Sequence, residues 1–266
     1  MITVVYVCVN YNGSQLTLDF VDSVKRQVRA NARCVIVDNA SAASDRKILE
    51  DKLGSDPDVK LIFSTENLGY FGGLNLGIAS IENPEFVVVG NNDLKFSEDF
   101  TKLVLERDYP QDVLVLAPNV TTADGYQQNP HSRTKVARGR KFLYDIYFKS
   151  YYAARVLTWL SGIKNKISGG RNNSFDQAPG YVHMGIGACY VLLPSFFKKF
   201  KQLDNKVFLY GEEAILAGQL ENGGGKMYYD PDLLVHHMES ATLSKLPSRK
   251  TYGFARESYP VYKKYL

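Results

Sequence analysis

The chain of 266 residues is 45% hydrophobic and 23% charged with a formal net charge of +4, a composition that excludes a disordered or fibrous protein. Its length accommodates one large α/β domain with additions and does not require two. Three cysteines, Cys8, Cys34 and Cys189, lack metal-ligand spacing and point to reduced thiols, and no apolar run approaches the roughly 20 residues of a membrane-spanning helix.

The opening residues Ile2 to Val9 form an apolar run with no basic stretch before it and no small-residue cleavage site after it, so no signal peptide is expected. The chain is read as cytoplasmic, soluble or peripheral on the inner face of the cytoplasmic membrane. From here short apolar runs alternate with longer amphipathic ones. Strands are expected at Val4 to Val9, Arg33 to Val37, Val59 to Phe63, Phe86 to Val89 and Val113 to Ala117. Helices are expected between them, at Leu16 to Val28, Ser44 to Leu53, Phe71 to Ile81 and Ser97 to Glu106. The alternation predicts an α/β fold with a mostly parallel central sheet flanked by helices, which binds ligands at the carboxyl ends of its strands.

Each of these strand ends carries small and polar residues. The first runs into Asn10-Tyr11-Asn12-Gly13 and the second into Asp38-Asn39-Ala40-Ser41. The third leads to Asn67-Leu68-Gly69 with Gly72, Gly73 and Asn75, and the fourth, Val87 to Gly90, to Asn91-Asn92-Asp93. Asp38 is placed to accept hydrogen bonds from a base or a ribose hydroxyl, or equally to cap a turn. Gly69, Gly72 and Gly73 allow the backbone to approach a ligand closely. Asp93 offers a hard oxygen ligand for Mn²⁺ or Mg²⁺, and Asn91 and Asn92 offer amides to a sugar, a phosphate or metal-bound water; a polar turn uses the same residue types. No Gly-x-Gly-x-x-Gly follows the first strand and no Walker lysine motif is present, which disfavours a dinucleotide oxidoreductase and a P-loop ATPase.

The order and spacing of these four clusters over residues 3 to about 117 resemble the family 2 glycosyltransferases of the GT-A fold. Within that family the resemblance is to the bacterial rhamnosyltransferase-like enzymes of surface polysaccharide synthesis, O-antigen and capsule included. It implies an inverting, metal-dependent hexosyltransferase. It further implies that Asn10, Tyr11, Asn12, Asp38, Asn67, Gly69, Gly73, Asn75, Asn91 and Asn92 bind a nucleotide-diphosphate sugar. Asn91-Asn92-Asp93 stands where the family carries its Asp-x-Asp metal motif, so Asp93 is the remaining carboxylate for Mn²⁺ or Mg²⁺.

The resemblance resumes after residue 178, within what reads as a single GT-A domain: a nucleotide-sugar half, 1–117, and an acceptor half, 118–266, closing on a tail at about 245–266. Val207 to Leu216 looks like the family's acidic motif at the acceptor side, whose second acid is commonly the general base. That position is Glu213, with Glu212 as the adjacent alternative; a solvated helix N-terminus favours acids there too. Ile215 and Gln219 depart from the family's later Asp and Arg. Lys226 to His237 resembles its final core strand, which makes His236 the matching metal ligand and His237 the alternative. Ser240, Thr242 and Ser244 follow, as phosphate contacts or as ordinary loop residues.

The least family-like stretch is an insertion at about 131–175. Residues 131 to 171 hold ten Lys or Arg against one acid, Asp145, a local +9 that leaves the remainder at −5. Phe142, Tyr147, Tyr152, Val156, Trp159 and Leu160 lie among those charges at helical spacing. Three readings fit: a helix in an anionic membrane interface serving a lipid-linked glycan acceptor, a helical excursion packed on the core or another subunit, and a nucleic-acid surface. The last is not expected, because no nucleic-acid-binding motif accompanies it. A non-catalytic nucleotide-sugar-binding or scaffold subunit is the alternative to an enzyme, and the oligomeric state stays open.

Overall fold

The computed structural model describes residues 3–28, 31–167, 176–238 and 248–266. Arg171 and the end of the insertion, together with Ser240, Thr242 and Ser244, lie outside the described residues. In the first half β1 (Thr3–Asn10), α1 (Ser14–Lys25), β2 (Asn31–Asp38), α2 (Ala43–Leu53), β3 (Val59–Phe63), α3 (Tyr70–Ile78) and β4 (Phe86–Asn91) alternate as expected. Then come β5 (Leu94–Phe96), α4 (Phe100–Glu106) and β6 (Val113–Thr122), which runs five residues past its expected end at Ala117. The insertion is helical, with α5 (Arg138–Lys149) and α6 (Tyr151–Ile167). The chain ends with β7 (Gly180–Val182), β8 (Cys189–Leu192), α7 (Pro194–Phe197), α8 (Glu212–Asn222), β9 (Lys226–His237) and α9 (Arg249–Tyr262).

The strands join in one sheet of order β3-β2-β1-β4-β8-β6-β9-β5, with β7 beside β9. Helices cover both faces, and the apolar runs of the central strands follow from that. Val4, Tyr6 and Cys8 of β1 pack with Phe20 and Val24 of α1 and Phe100 of α4, whereas Val7 on the opposite face packs with Phe71, Leu74 and Ile78 of α3. The expectation of a mostly parallel sheet holds for β3-β2-β1-β4 and for β6 with β9. It fails elsewhere, because β8 runs antiparallel to both β4 and β6, and β5 and β7 run antiparallel to β9. The sheet is therefore mixed.

That reversal positions the site. An antiparallel β8 starts where parallel β4 ends, with Gly90 paired to Cys189, so the segment before β8 is delivered to the carboxyl edge of β1, β2 and β4. Likewise β9 arrives beside β5 with Leu94 opposite His237, next to the same edge.

Candidate functional site

β1, β2 and β4 end side by side, because the register pairs Asn10 with Asp38 and Val9 with Asn91. Asn10 is fully buried, and its amide ties the ends together. Its Nδ2 donates to Asp38 Oδ2 at 3.0 Å, Ser41 Oγ at 3.1 Å and Asp45 Oδ2 at 2.7 Å, and its Oδ1 accepts from Thr17 Oγ1 at 3.0 Å. Asp38 is also buried; its Oδ1 accepts from Arg46 Nε at 2.7 Å and from Ser41 N at 3.1 Å. These two residues form the floor of the edge where β1, β2 and β4 end. Its open surface is Tyr11, 58% exposed, and Asn12, whose Oδ1 accepts from Ala42 N at 2.8 Å. Arg46, one of the residues that sequence patterns missed, reaches Asp38 from the first turn of α2.

The loop after β3 is fixed by Asn39, whose Nδ2 donates to Asn67 Oδ1 at 3.0 Å and Gly69 O at 3.1 Å and whose Oδ1 accepts from Leu68 N at 2.9 Å. Asn67 remains exposed at the edge. Gly69 has φ +75°, and a Cβ there would stand 2.2 Å from Phe208 O; a Cβ on Gly73 would stand 2.9 Å from a Val9 methyl. The close approaches expected toward a ligand at these glycines are thus made to the protein's own chain. Asn75 is similarly occupied, donating Nδ2 to Leu203 O at 2.8 Å and accepting from Leu203 N at 2.9 Å. The physical reason is common to Gly73 and Asn75: α3 lies flat on β1 and anchors the segment around Leu203.

After β4, Asn92 turns back, its Nδ2 donating to Thr17 Oγ1 at 2.9 Å and Gly13 O at 3.1 Å, which locks the turn onto the start of α1. Asn91 and Asp93 face β9. Asp93 Oδ2 lies 3.1 Å from His237 Nε2, and Asn91 Nδ2 lies 3.3 Å from the same nitrogen. The histidine next to Asp93 is therefore His237. His236, matched to the metal from the sequence, is exposed, with Nδ1 3.1 Å from Thr121 Oγ1. Strand periodicity explains this placement, since Leu233, Val235 and His237 fall on one face of β9 while Leu234 and His236 fall on the other.

His237 Nδ1 meets Gln128 Oε1 at 2.9 Å. An Nδ1–H donated to that oxygen leaves the Nε2 lone pair toward Asp93, the tautomer that a cation ligand requires. Among the described residues no group of three His, Cys, Asp or Glu is gathered to hold a metal by itself. The Asp93–His237 pair fits a divalent cation whose shell is completed by water or phosphate oxygens.

Glu212 and Glu213 open α8 and look in different directions. Glu212 is 5% exposed, with Oε1 lacking a hydrogen-bond partner among the described residues. Burial, and then the charge of Glu213, pushes its pKa up to about 7. Glu213 is half-buried, and its Oε1 accepts from Gly187 N at 3.2 Å. The same short segment ties Glu213 to the carboxyl edge of β4 and the start of α3: Tyr70 OH donates to Gly187 O at 2.8 Å, and Asn91 N donates to Ala188 O at 2.9 Å. Burial, with Cys189, Glu212, Glu213 and Asp93 nearby, holds the Tyr70 hydroxyl well above its ordinary pKa, so it stays a donor.

A cavity of about 600 Å³ lies against Glu213, lined by Gln128, by Arg140, Tyr144 and Phe148 of α5, and by Tyr252 and Tyr262 of α9. Gln128 thus reaches His237 with its side chain and borders the space onto which Glu213 opens. Neither Gln128 nor Gly187 carries a signal in the sequence, because a loop amide and a loop glycine acquire their roles only from the long-range pairing of β6, β8 and β9. The inward face of α5 is fastened to α9: Phe148 stacks on Tyr259 with ring centroids 4.4 Å apart, and Tyr259 OH donates to Asp145 Oδ1 at 2.8 Å. On that face the expectation of a packed helical excursion is met.

The geometry has counterparts among known structures. A mannosyltransferase, PcManGT from Pyrobaculum calidifontis in complex with GDP-Man and Mn²⁺, superposes with a TM-score of 0.57 at 15% identity, covering 98% of this chain and 62% of that one. GalNAc-T7 with UDP, GalNAc and Mn²⁺ gives 0.64 at 14% identity, covering 98% and 48%. S. aureus TarS, residues 1–349, gives 0.57 at 13% identity, covering 90% and 60%. The chain spans less than two thirds of each of these, and the likeness establishes the GT-A fold. No curated protein sequence matches the chain. The sequence profile described as glycosyl transferase family 2 matches residues 5–178, and the chain belongs to that family.

Proposed function

We propose that the chain is an inverting glycosyltransferase that uses a nucleotide-diphosphate sugar, with Glu213 as general base and a divalent cation beside Asp93 and His237. The donor lies over the ends of β1, β2 and β4, with Tyr11, Asn12 and Asn67 at its surface and Asn10, Asp38 and Asn92 shaping the floor beneath. The acceptor, a glycan or lipid-linked glycan of surface polysaccharide synthesis, enters the cavity between α5, α9 and Glu213. Its hydroxyl gives a proton to the Glu213 carboxylate as the oxygen bonds to the anomeric carbon. The bond from that carbon to the diphosphate breaks on the opposite face, and the electron pair leaves with the nucleoside diphosphate. A bound Mn²⁺ or Mg²⁺ would neutralise charge on the departing diphosphate. The Gly187 N–H orients the carboxylate.

The observation that supports this reading best is Gln128, which hydrogen-bonds the histidine beside Asp93 and lines the cavity of Glu213. Neighbouring folds bound to GDP-Man, or to UDP with GalNAc, each with Mn²⁺, support the donor class. A panel of nucleotide-diphosphate sugars incubated with the protein and Mn²⁺ tests it: one donor releases nucleoside diphosphate, and chelation stops the release. A chain that binds a donor and releases none would be a scaffold subunit.

A further inference from the structure

The surface of the α5–α6 pair that faces away from the core is patterned against what water favours. Along α6, Tyr152, Val156, Trp159 and Leu160 fall at i, i+4, i+7 and i+8, a single helical stripe, and they are 68, 56, 64 and 49% exposed. The other side of the same helix is the packed one, where Ala154 is 1% exposed and the Tyr151 ring meets Tyr252 of α9 with centroids 5.4 Å apart. α5 repeats the division. Tyr144 and Phe148 join the core around Tyr259, while Phe142 and Leu143 are 64 and 49% exposed. Each helix therefore has one apolar face satisfied and a second presented outward.

Charge accompanies the outward faces. Between residues 138 and 160 five Lys or Arg stand against Asp145 alone; Arg140 lines the cavity, and the other four are at 138, 141, 149 and 155. Asp145 is taken up on the inward side by Tyr259, at 2.8 Å, and by Lys263, at 3.5 Å. A helix pair that shows large apolar side chains ringed by cations has the chemistry of a membrane-surface element.

We propose that this face of α5 and α6 seats on an anionic lipid bilayer, with Phe142, Leu143, Tyr152, Val156, Trp159 and Leu160 entering the boundary between headgroups and acyl chains and the basic residues meeting lipid phosphates. Charge selects this occupant over a second copy of the chain. A two-fold dimer through the same patch would set the four cations outside the cavity, Arg138, Lys141, Lys149 and Arg155, against another four. The arrangement also bears on access, because α5 carries Arg140, Tyr144 and Phe148 on the cavity and Phe142 and Leu143 on the lipid. A lipid-linked acceptor reaches the cavity without leaving its membrane. The docking itself does not depend on the sugar-transfer reading.

Trp159 is the one tryptophan in the chain, so its emission reports on the patch directly. Mixed at low salt with vesicles of phosphatidylcholine doped with phosphatidylglycerol, the full chain co-floats, its emission shifts to the blue, and lipids brominated along the acyl chains quench it. Pure phosphatidylcholine vesicles bind at least about tenfold more weakly, and added salt weakens binding to the doped ones. Val156→Ser with Trp159→Ser lowers flotation by about tenfold or more while the far-ultraviolet circular dichroism and donor release stay as in the wild type. Lys149→Gln with Arg155→Gln moves flotation in the same direction. Absence of both flotation and emission shift with anionic vesicles overturns the proposal. So does a blue shift that appears without vesicles and grows with protein concentration alongside a doubled mass in sedimentation, which assigns the face to a second copy. Neither result touches donor release, and loss of donor release leaves vesicle binding intact.

Discussion

Glu212 and Glu213 are neighbours in sequence with opposite surroundings, and the difference is measurable. A carboxyl whose pKa is raised on folding, from 4.5 to about 7 for Glu212, holds its proton more tightly in the folded state. Its contribution is fully present below pH 4.5 and is lost as pH rises toward and through 7. Charging Glu212 at pH 8 costs roughly 3 kcal/mol of stability. Glu212→Gln should therefore raise the melting temperature at pH 8 and leave it nearly unchanged at pH 4, as thermal unfolding at the two pH values will read. His237 gives the second prediction at this scale. His237→Ala should raise the Mn²⁺ concentration needed for donor binding by at least about tenfold, and His236→Ala should not, in calorimetric titrations of donor against metal. Strand alternation in Leu233, Val235 and His237 carries that distinction in the sequence itself. Matching the motif by position alone loses it, because a shift of one residue turns a strand side chain to the other face.

Among the elements, legibility followed the range of the interactions. The βα alternation of the first half is written in local periodicity, and β3 has the bounds that its apolar run predicts. Strand direction is not local. Nothing in Cys189 to Leu192 says that it will lie between β4 and β6 running the other way, and β5, three residues long, is too short to alternate visibly. The contact of α9 with α8 is likewise set by small residues far from their partners. Gly211, before α8, has φ +95°, and a Cβ there would stand 2.1 Å from the Tyr262 ring; a Cβ on Gly218 would stand 2.2 Å from Tyr265. Gly211→Ala both strains the backbone and pushes α9 from the start of α8. It should cost roughly 2–4 kcal/mol in denaturant unfolding, and it should weaken acceptor use more than donor use because Tyr262 lines the cavity.

At the scale of the whole molecule, the edge formed by β1, β2 and β4 and the cavity beside Glu213 come from different parts of the chain, and the links between them include three thin ones. Asn91 bonds the peptide before β8, Glu213 bonds Gly187 in the same segment, and Gln128 spans from His237 to the cavity. The sequence shows the clusters at the ends of β1, β2, β3 and β4 as dense runs of small and polar residues. It does not show the links, which are backbone groups and a loop amide without a pattern of their own. In the proposed function both parts serve a single sugar transfer in which Glu213 takes the acceptor proton. The most direct test compares wild type with Glu213→Gln on the donor that the panel identifies, measuring donor affinity and transfer in the presence of Mn²⁺. Donor affinity should stay unchanged while transfer falls by about 10²–10⁴-fold. Transfer by Glu213→Gln at the wild-type rate would contradict this role for Glu213.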